Sequence, residues 1–419
     1  MINFLSYQDT NTPWIGEIPT GWSLKSLKHI FTEKKSTKNS DLGCGSISFG
    51  KVIYKDDEKI PESTKESYQE VLDGEFLINP LNLNYDLKSL RIGLSRINVV
   101  VSQGYIVLNI KDGFVPEYYE YLLRKFDVEH MKSLGQGVRQ TISYTHLKDE
   151  KLVVPPVDEQ KRISRYLDKK TSLIDSLINK IEKKIELLKE QRISLVNQYV
   201  TKGLAPNVDM KDSGVEWIGK IPKHWEITPL FKLFEENKVK NKEGRLDVLT
   251  LSYGKIKYRD LSKLEGLIPE SFDGYQVMEI ESIIVRSTDL QNDHKSLRVG
   301  HVGVPGVITS AYLGLNPKQP MSTKFYYYSI HLSDLKKVLY GLGGGLRQSL
   351  RFDDFKRFPI INPPEDEREK ISNHLDRVDK EITDITSKLE KRISLMEEYR
   401  HSLISSVVTG KVRVTEDMV

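Results

Sequence analysis

Two six-residue segments hold side chains suited to reading the edges of bases. Asn79-Pro80-Leu81-Asn82-Leu83-Asn84 is matched 207 positions later by Arg286-Ser287-Thr288-Asp289-Leu290-Gln291. Asparagine and glutamine pair with adenine, arginine pairs with guanine, and aspartate accepts a hydrogen bond from cytosine. The other reading of either segment is a polar turn between strands, and neither dictates a base sequence. Basic and polar residues recur in pairs around them: Lys51 and Lys255, Tyr54 and Tyr258, Lys88 and Lys295, Arg91 and Arg298, Arg139 and Arg347, Gln140 and Gln348. Residues alike at matching places suit scaffolding or phosphate contact, and residues that differ suit readout. If the ligand is a nucleic acid, the candidate contacts are those pairs together with Asn79, Asn82, Asn84, Arg286, Asp289 and Gln291. Arg139 and Arg347 follow the glycine-rich stretches 135–137 and 343–345, where a backbone can approach a phosphate closely. Turn-stabilising arginines are the alternative there.

No catalytic constellation accompanies these residues. Asn362-Pro363-Pro364-Glu365 lacks the aromatic that would stack on a flipped base in an amino-methyltransferase, and its counterpart Val154-Pro155-Pro156-Val157 lacks even the amide. Both read as helix entrances. The glycines of 341–345 have no following Lys-Ser/Thr and so make no phosphate loop. Asp353-Asp354 is matched by Tyr144-Thr145, which leaves metal-dependent cleavage without support. The nine histidines share no repeated spacing, and a solvated or structural role suits each. Cys44 is the single cysteine, so there is neither an internal disulfide nor paired zinc-type spacing. No catalytic residue, metal or bound cofactor is expected.

With 419 residues the chain can bury two or three cores. Its 63 basic against 59 acidic residues give a net charge of +4, which permits nucleic-acid binding through local patches without requiring it. Residues 1–14 carry no basic stretch followed by an apolar core, and no apolar run reaches the length of a membrane span, about 18 residues. A soluble, cytoplasmic protein is expected.

What must position the paired residues is a duplication. Trp14-Ile15-Gly16-Glu17-Ile18-Pro19 and Trp22 return as Trp217-Ile218-Gly219-Lys220-Ile221-Pro222 and Trp225, displaced by 203, and these are all four tryptophans. Ser48-Phe49-Gly50-Lys51 returns as Ser252-Tyr253-Gly254-Lys255. Lys88-Ser89-Leu90-Arg91-Ile92-Gly93 returns as Lys295-Ser296-Leu297-Arg298-Val299-Gly300, displaced by 207. Pro155-Pro156-Val157-Asp158-Glu159 returns as Pro363-Pro364-Glu365-Asp366-Glu367, displaced by 208.

Each copy has two textures. Residues 1–155 and 204–363 hold short β-branched and apolar runs broken by Gly, Asn, Asp and Pro, which predicts mixed, strand-rich domains with short helices. Residues 157–201 and 365–409, 45 in each copy, contain neither Gly nor Pro and open on acidic residues, so each predicts one long helix. Leu167, Ile174, Ile181, Leu188 and Leu195 fall every seven residues, with Ile178 and Ile185 between them. The second helix repeats this with Leu375, Ile382, Leu389, Met396 and Leu403, and Ile393. These rows form an a/d seam. For the seams to cover each other within one chain, the second helix must run antiparallel and end near the first domain. The predicted fold is α+β: two tandem mixed α/β domains separated by two long antiparallel coiled-coil helices, with pseudo-two-fold internal symmetry. The expected divisions are 1–155, 156–203, 204–363 and 364–412, with a tail at 413–419.

A duplicated domain-plus-helix unit with these motifs resembles the specificity subunits of type I restriction-modification systems. The resemblance rests on the Trp-Ile-Gly-x-Ile-Pro openings, the glycine-rich turns before Arg139 and Arg347, the Pro-Pro-x-acid-acid helix entrances, and the helices ending Val200-Thr201 and Val408-Thr409. It covers nearly the whole chain. Glu367-Arg368 departs from the usual Glu-Gln that Glu159-Gln160 keeps. The resemblance implies two target recognition domains, each reading one half of a split double-stranded DNA site, and helices that set the spacing. It implies two modification (methyltransferase) subunits and restriction/motor subunits as partners, with S-adenosylmethionine, ATP and magnesium bound only by those partners. Two other readings stay in view: a self-contained adenine methyltransferase, which would need motifs this chain lacks, and a coiled-coil adaptor that binds only protein.

Overall fold

The computed structural model describes all residues except 1–3, 57, 59, 82–89, 135–140, 253, 262–270, 291–292, 294–296 and 343–348. The chain divides into two units, Met1–Ile181 with Glu390–Val419, and Glu182–Leu389. Each unit therefore holds one domain, the first part of one long helix and the last part of the other.

In the first unit, strands β1 (Phe31–Glu33), β2 (Gly45–Ser48), β3 (Lys51–Tyr54), β4 (Phe76–Ile78), β5 (Ile92–Leu94) and β6 (Ile106–Ile110) precede helix α1 (Pro116–Glu129). Four of them form an antiparallel sheet in the order β1-β6-β4-β5, while β2 and β3 pair as a hairpin. β4 and β5 are buried throughout, as short strands covered on both faces must be. A separate pair, Ser23–Ser26 with Lys151–Val154, brings the start of the domain beside its end, where helix α2 (Val157–Lys202) begins.

The second unit repeats the plan with β7 (Phe234–Glu236), β8 (Leu249–Ser252), β9 (Lys255–Tyr258), β10 (Ile283–Val285), β11 (Val299–His301) and β12 (Leu313–Pro317), then α3 (Lys324–Leu335). Its sheet order is β7-β12-β10-β11, with β8 and β9 as the hairpin. Glu226–Pro229 pairs with Pro359–Asn362 just before helix α4 (Glu365–Val408). The internal repeat is thus a repeat of topology.

Both long helices form where expected, to within a residue at each end. The first turns carry Asp158 and Glu159 or Glu365, Asp366 and Glu367, acids that suit the positive end of a helix. Gly203 and Gly410 follow the helices with φ of +76° and +73°. Glycine is needed for that turn and also for space, because a Cβ on Gly203 would stand 3.1 Å from the Trp225 ring and one on Gly410 2.5 Å from Pro19.

The helices run antiparallel within each unit. In the first, Arg400 on α4 pairs with Asp175 on α2 at 2.5 Å, and beyond the end of α4 Glu416 reaches Arg162, nearer the start of α2, at 2.8 Å. In the second, Arg192 pairs with Asp379, and Tyr199 meets the His374 ring at 4.5 Å. All thirteen predicted seam residues are buried or half-buried. Leu167, Ile174, Ile178, Ile185, Leu375, Ile382 and Leu403 are buried, and Ile181, Leu188, Leu195, Leu389, Ile393 and Met396 are half-buried. The seam does two jobs. Leu167 and Leu403 belong to the first domain's core with Trp14, Trp22, Phe31 and Phe76, while Leu375 belongs to the second core with Trp225, Phe234 and Tyr326. Among the described residues no helix is long and apolar enough to cross a membrane.

Candidate nucleic-acid interface

Each helix entrance is tied to its domain by the same contact. The indole N–H of Trp22 donates to Glu159 at 3.1 Å, and that of Trp225 donates to Glu367 at 3.0 Å. In the first copy Gln160 completes the joint, donating to the Pro155 carbonyl at 2.8 Å and accepting from the Val115 N–H at 3.0 Å. In the second copy Arg368 takes its place, donating to the Tyr326 hydroxyl and lying over that ring. Tyr326 donates in turn to Asn362 at 2.7 Å. The Asn-Pro-Pro stretch is therefore a helix entrance whose amide is occupied by its own fold.

The predicted DNA-contacting residues separate by depth. Lys51 and Tyr54 are exposed on the β2–β3 hairpin, and Lys255 and Tyr258 on the β8–β9 hairpin. Lys55, Lys257 and Arg259 extend the same exposed, basic strand ends. Tyr258 donates to the Pro305 carbonyl at 3.1 Å, and Lys255 stands 3.8 Å from Asp379 on α4. Asn79 is half-buried, and its side-chain oxygen accepts from the Leu81 N–H at 3.2 Å, a local turn bond. Arg286 is half-buried and pairs with Asp293 at 3.3 Å. Asp289, also half-buried, has a left-handed φ of +58°. Asn82, Asn84, Lys88, Arg139, Gln140, Gln291, Lys295, Arg347 and Gln348 lie outside the described residues.

Arg91 and Arg298, named among the candidate DNA contacts, are buried, and of the two readings of a matched pair their surroundings fit scaffolding. Arg298 is fully buried, and all five of its guanidinium N–H donors are used. Nε donates to the Tyr340 hydroxyl at 3.2 Å. One terminal nitrogen donates to the carbonyls of Arg286 and Thr288 at 3.2 and 2.7 Å, and the other to those of Asp289 and Asp293 at 2.9 and 2.7 Å. The side chain is a brace that collects the carbonyls of the candidate reading loop from inside. Arg91, 7% exposed, donates to the Leu81 carbonyl at 2.6 Å in the corresponding loop. A buried, charge-assisted bond to a carbonyl is stronger than a neutral one, and leaving that carbonyl bare is costly.

The spacing argument missed the partners of these arginines. Asp127 on α1 accepts from the backbone N–H groups of Arg91 and Ile92, and Asp334 on α3 accepts from the Arg298 N–H at 2.6 Å. Burial pushes the Asp127 carboxyl up to about 6, against the lowering effect of those donors, and burial moves Asp334 in the same direction. The two aspartates are 207 apart, the displacement of the arginines they serve, so the duplication itself carried the signal.

Apolar residues also stand exposed on the helices. Leu187 on α2 is 55% exposed, and Leu395 on α4, its equivalent 208 positions on, is 54% exposed. Among the described residues no group of three or more His, Cys, Asp or Glu could hold a metal ion.

Comparison with known proteins places this architecture. The pattern described as the type I restriction modification DNA specificity domain matches residues 19–187 and 222–395. Over 448 aligned positions, covering 99% of both chains, the sequence is 25% identical to a protein of Methanocaldococcus jannaschii provisionally named type I restriction enzyme MjaX specificity subunit. It is 24% identical over 337 positions, 75% of each chain, to the MjaVIII specificity subunit of the same organism. A solved structure described under complex assembly and conformational transition of the type I R-M system shares the fold with a TM-score of 0.66 at 11% identity, covering 94% of this chain and 99% of that one.

Proposed function

The chain belongs to the type I restriction-modification DNA specificity family, and from that membership we propose that each of its two domains reads one half of a bipartite duplex target. The observation that carries this reading is the pairing of a repeated internal brace with unlike loop side chains. Arg91 donates to the Leu81 carbonyl and Arg298 to the carbonyl of Thr288, the matching position, while in the sequence Asn79 aligns with Arg286 and Asn82 with Asp289. A common scaffold carrying different polar side chains is how one fold reads two sequences.

The exposed Lys51 and Tyr54, with Lys255 and Tyr258, are assigned to backbone contact. Arg91 and Arg298 act by shaping the loops. Asn79, Asn82, Asn84, Arg286, Asp289 and Gln291 are assigned to base reading, and Lys88, Lys295, Arg139, Gln140, Arg347 and Gln348 to phosphate or loop contact beside them. The domains proposed to do this span 1–155 and 204–363.

The helices are assigned two roles. Helix α2, of 46 residues, spans about 69 Å as a stiff rod and would fix the gap between half-sites, whose centres would lie roughly one turn of DNA, about 10 base pairs, apart. Their exposed apolar positions, Leu187 on α2 and Leu395 on α4, would dock two modification subunits, one at each position. Catalysis then belongs to partners: the modification subunits would bind S-adenosylmethionine, and restriction subunits ATP and magnesium.

Mapping methylated adenines in cellular DNA, with the modification subunit expressed with and without this chain, tests the reading. Two unlike specific parts around a fixed gap, seen only when the chain is present, are expected. Methylation that is unchanged without the chain would contradict it.

A further inference from the structure

The β2–β3 hairpin carries at its tip a residue that neither core packing nor turn chemistry accounts for. Ser48 pairs with Lys51, so the loop is Phe49-Gly50, and both residues are left-handed with φ of +47° and +74°. Two-residue turns of that kind favour Asn, Asp and Gly, and a bulky ring is strained there. Phe49 is nevertheless 75% exposed, so burial gives nothing back.

The tip is held firmly. Gly50 donates to the Leu90 carbonyl at 3.1 Å. Ile47 and Val52 pack against the buried cluster of Val71, Leu77, Val99, Val101 and Val107. The hairpin backbone lies so close to β5 that a Cβ on Gly93 would come within 2.6 Å of the Gly50 carbonyl oxygen. Lys51, exposed, adjoins the turn, and exposed Tyr54 and Lys55 follow at the far end of the same strand. The second copy writes the same combination as Tyr253, Lys255, Tyr258 and Arg259, of which Tyr253 lies outside the described residues.

A rigid ribbon with cations on its strand and a bare ring at its tip fits a polyanion with a stacked, apolar interior, which is duplex DNA. We propose that Phe49 is an apolar wedge that presses into a base step and unstacks it while Lys51 holds the adjoining phosphate. This rests on the DNA-reading assignment above and adds a distortion step that the assignment does not require.

The test uses the complex of this chain with its modification subunits and a duplex carrying the mapped site, with 2-aminopurine placed at successive positions. Phe49→Asn suits the left-handed turn, so thermal stability should hold or rise. The wild type should brighten the probe at one step. Phe49→Asn should abolish that signal and weaken binding roughly 5- to 150-fold, the range for loss of one aromatic–base stack. The salt dependence of affinity should stay unchanged, whereas Lys51→Gln should lower its slope by about one. A folded, assembled Phe49→Asn complex with wild-type affinity and wild-type probe signal overturns the wedge alone. Failure of Phe49→Asn to assemble would place the ring against a protein partner and overturn it equally. Absence of site-specific binding by the wild type would instead overturn the DNA-reading assignment.

Discussion

Replacing Arg298 by methionine should disable the second half-site while leaving the first intact. The substitution keeps most of the aliphatic stem and removes five donors that serve four carbonyls and one hydroxyl. Each charge-assisted bond contributes about 1.5–3 kcal/mol, but these bonds share one side chain and do not add, and the loop can open to water. A net loss of about 3–5 kcal/mol, the range for removing one partner of a buried charged network, is expected. The second domain should therefore unfold at lower denaturant, and methylation should lose its preference at one half-site only. Chemical denaturation of the chain and methylation of targets altered in either half would report both effects. Lysine at the same position keeps the charge but not the planar fork, so it should rescue little. The reasoning fails if Arg298→Met leaves stability within about 0.5 kcal/mol of wild type yet lowers the salt slope of DNA binding by about one unit. That result would make Arg298 a phosphate contact after all.

Three further outcomes follow from the same geometry. Lys255→Gln, at an exposed position, should leave stability almost unchanged and weaken binding to all sequences alike, read as a shallower salt dependence. The raised Asp127 carboxyl favours its protonated form in the fold, so its contribution to stability is full below about pH 4 and is lost as pH rises through about 6; Asp127→Asn should flatten that part of the denaturation profile, and an unaltered profile would refute the assignment. Inserting one heptad into both long helices, in register at the seam, should preserve the specific bases and lengthen the gap between them, and an active variant with an unchanged gap would end the ruler account.

The fold was largely legible because its signals are periodic and duplicated. The tryptophan motifs located the two domains, and the absence of Gly and Pro over 157–201 and 365–409 marked helices that form at Val157–Lys202 and Glu365–Val408. Heptad spacing picked out positions that are all buried or half-buried, although it could not reveal that Leu167, Leu375 and Leu403 also complete the domain cores. The candidate site was less legible. A Lys-Ser-Leu-Arg block shared by both copies reads as a shared phosphate contact, but a shared brace leaves the same trace, and only burial separates them. Arg298 finds its carbonyl acceptors 5 to 12 residues away along an irregular loop, where no period announces them. Asp334 lies 36 positions from the N–H it accepts, a distance fixed by the sheet rather than by any motif.

The central claim, that each domain reads its half-site through its own loop on a common scaffold, is tested most directly by exchanging residues 79–84 with residues 286–291 and mapping the methylated adenines. Each lost base contact should cost about 1–3 kcal/mol of discrimination. The account predicts a folded protein that assembles with its modification subunits and shows altered base preference at the exchanged positions with the gap unchanged. Methylation of the original site with its original preference would contradict it.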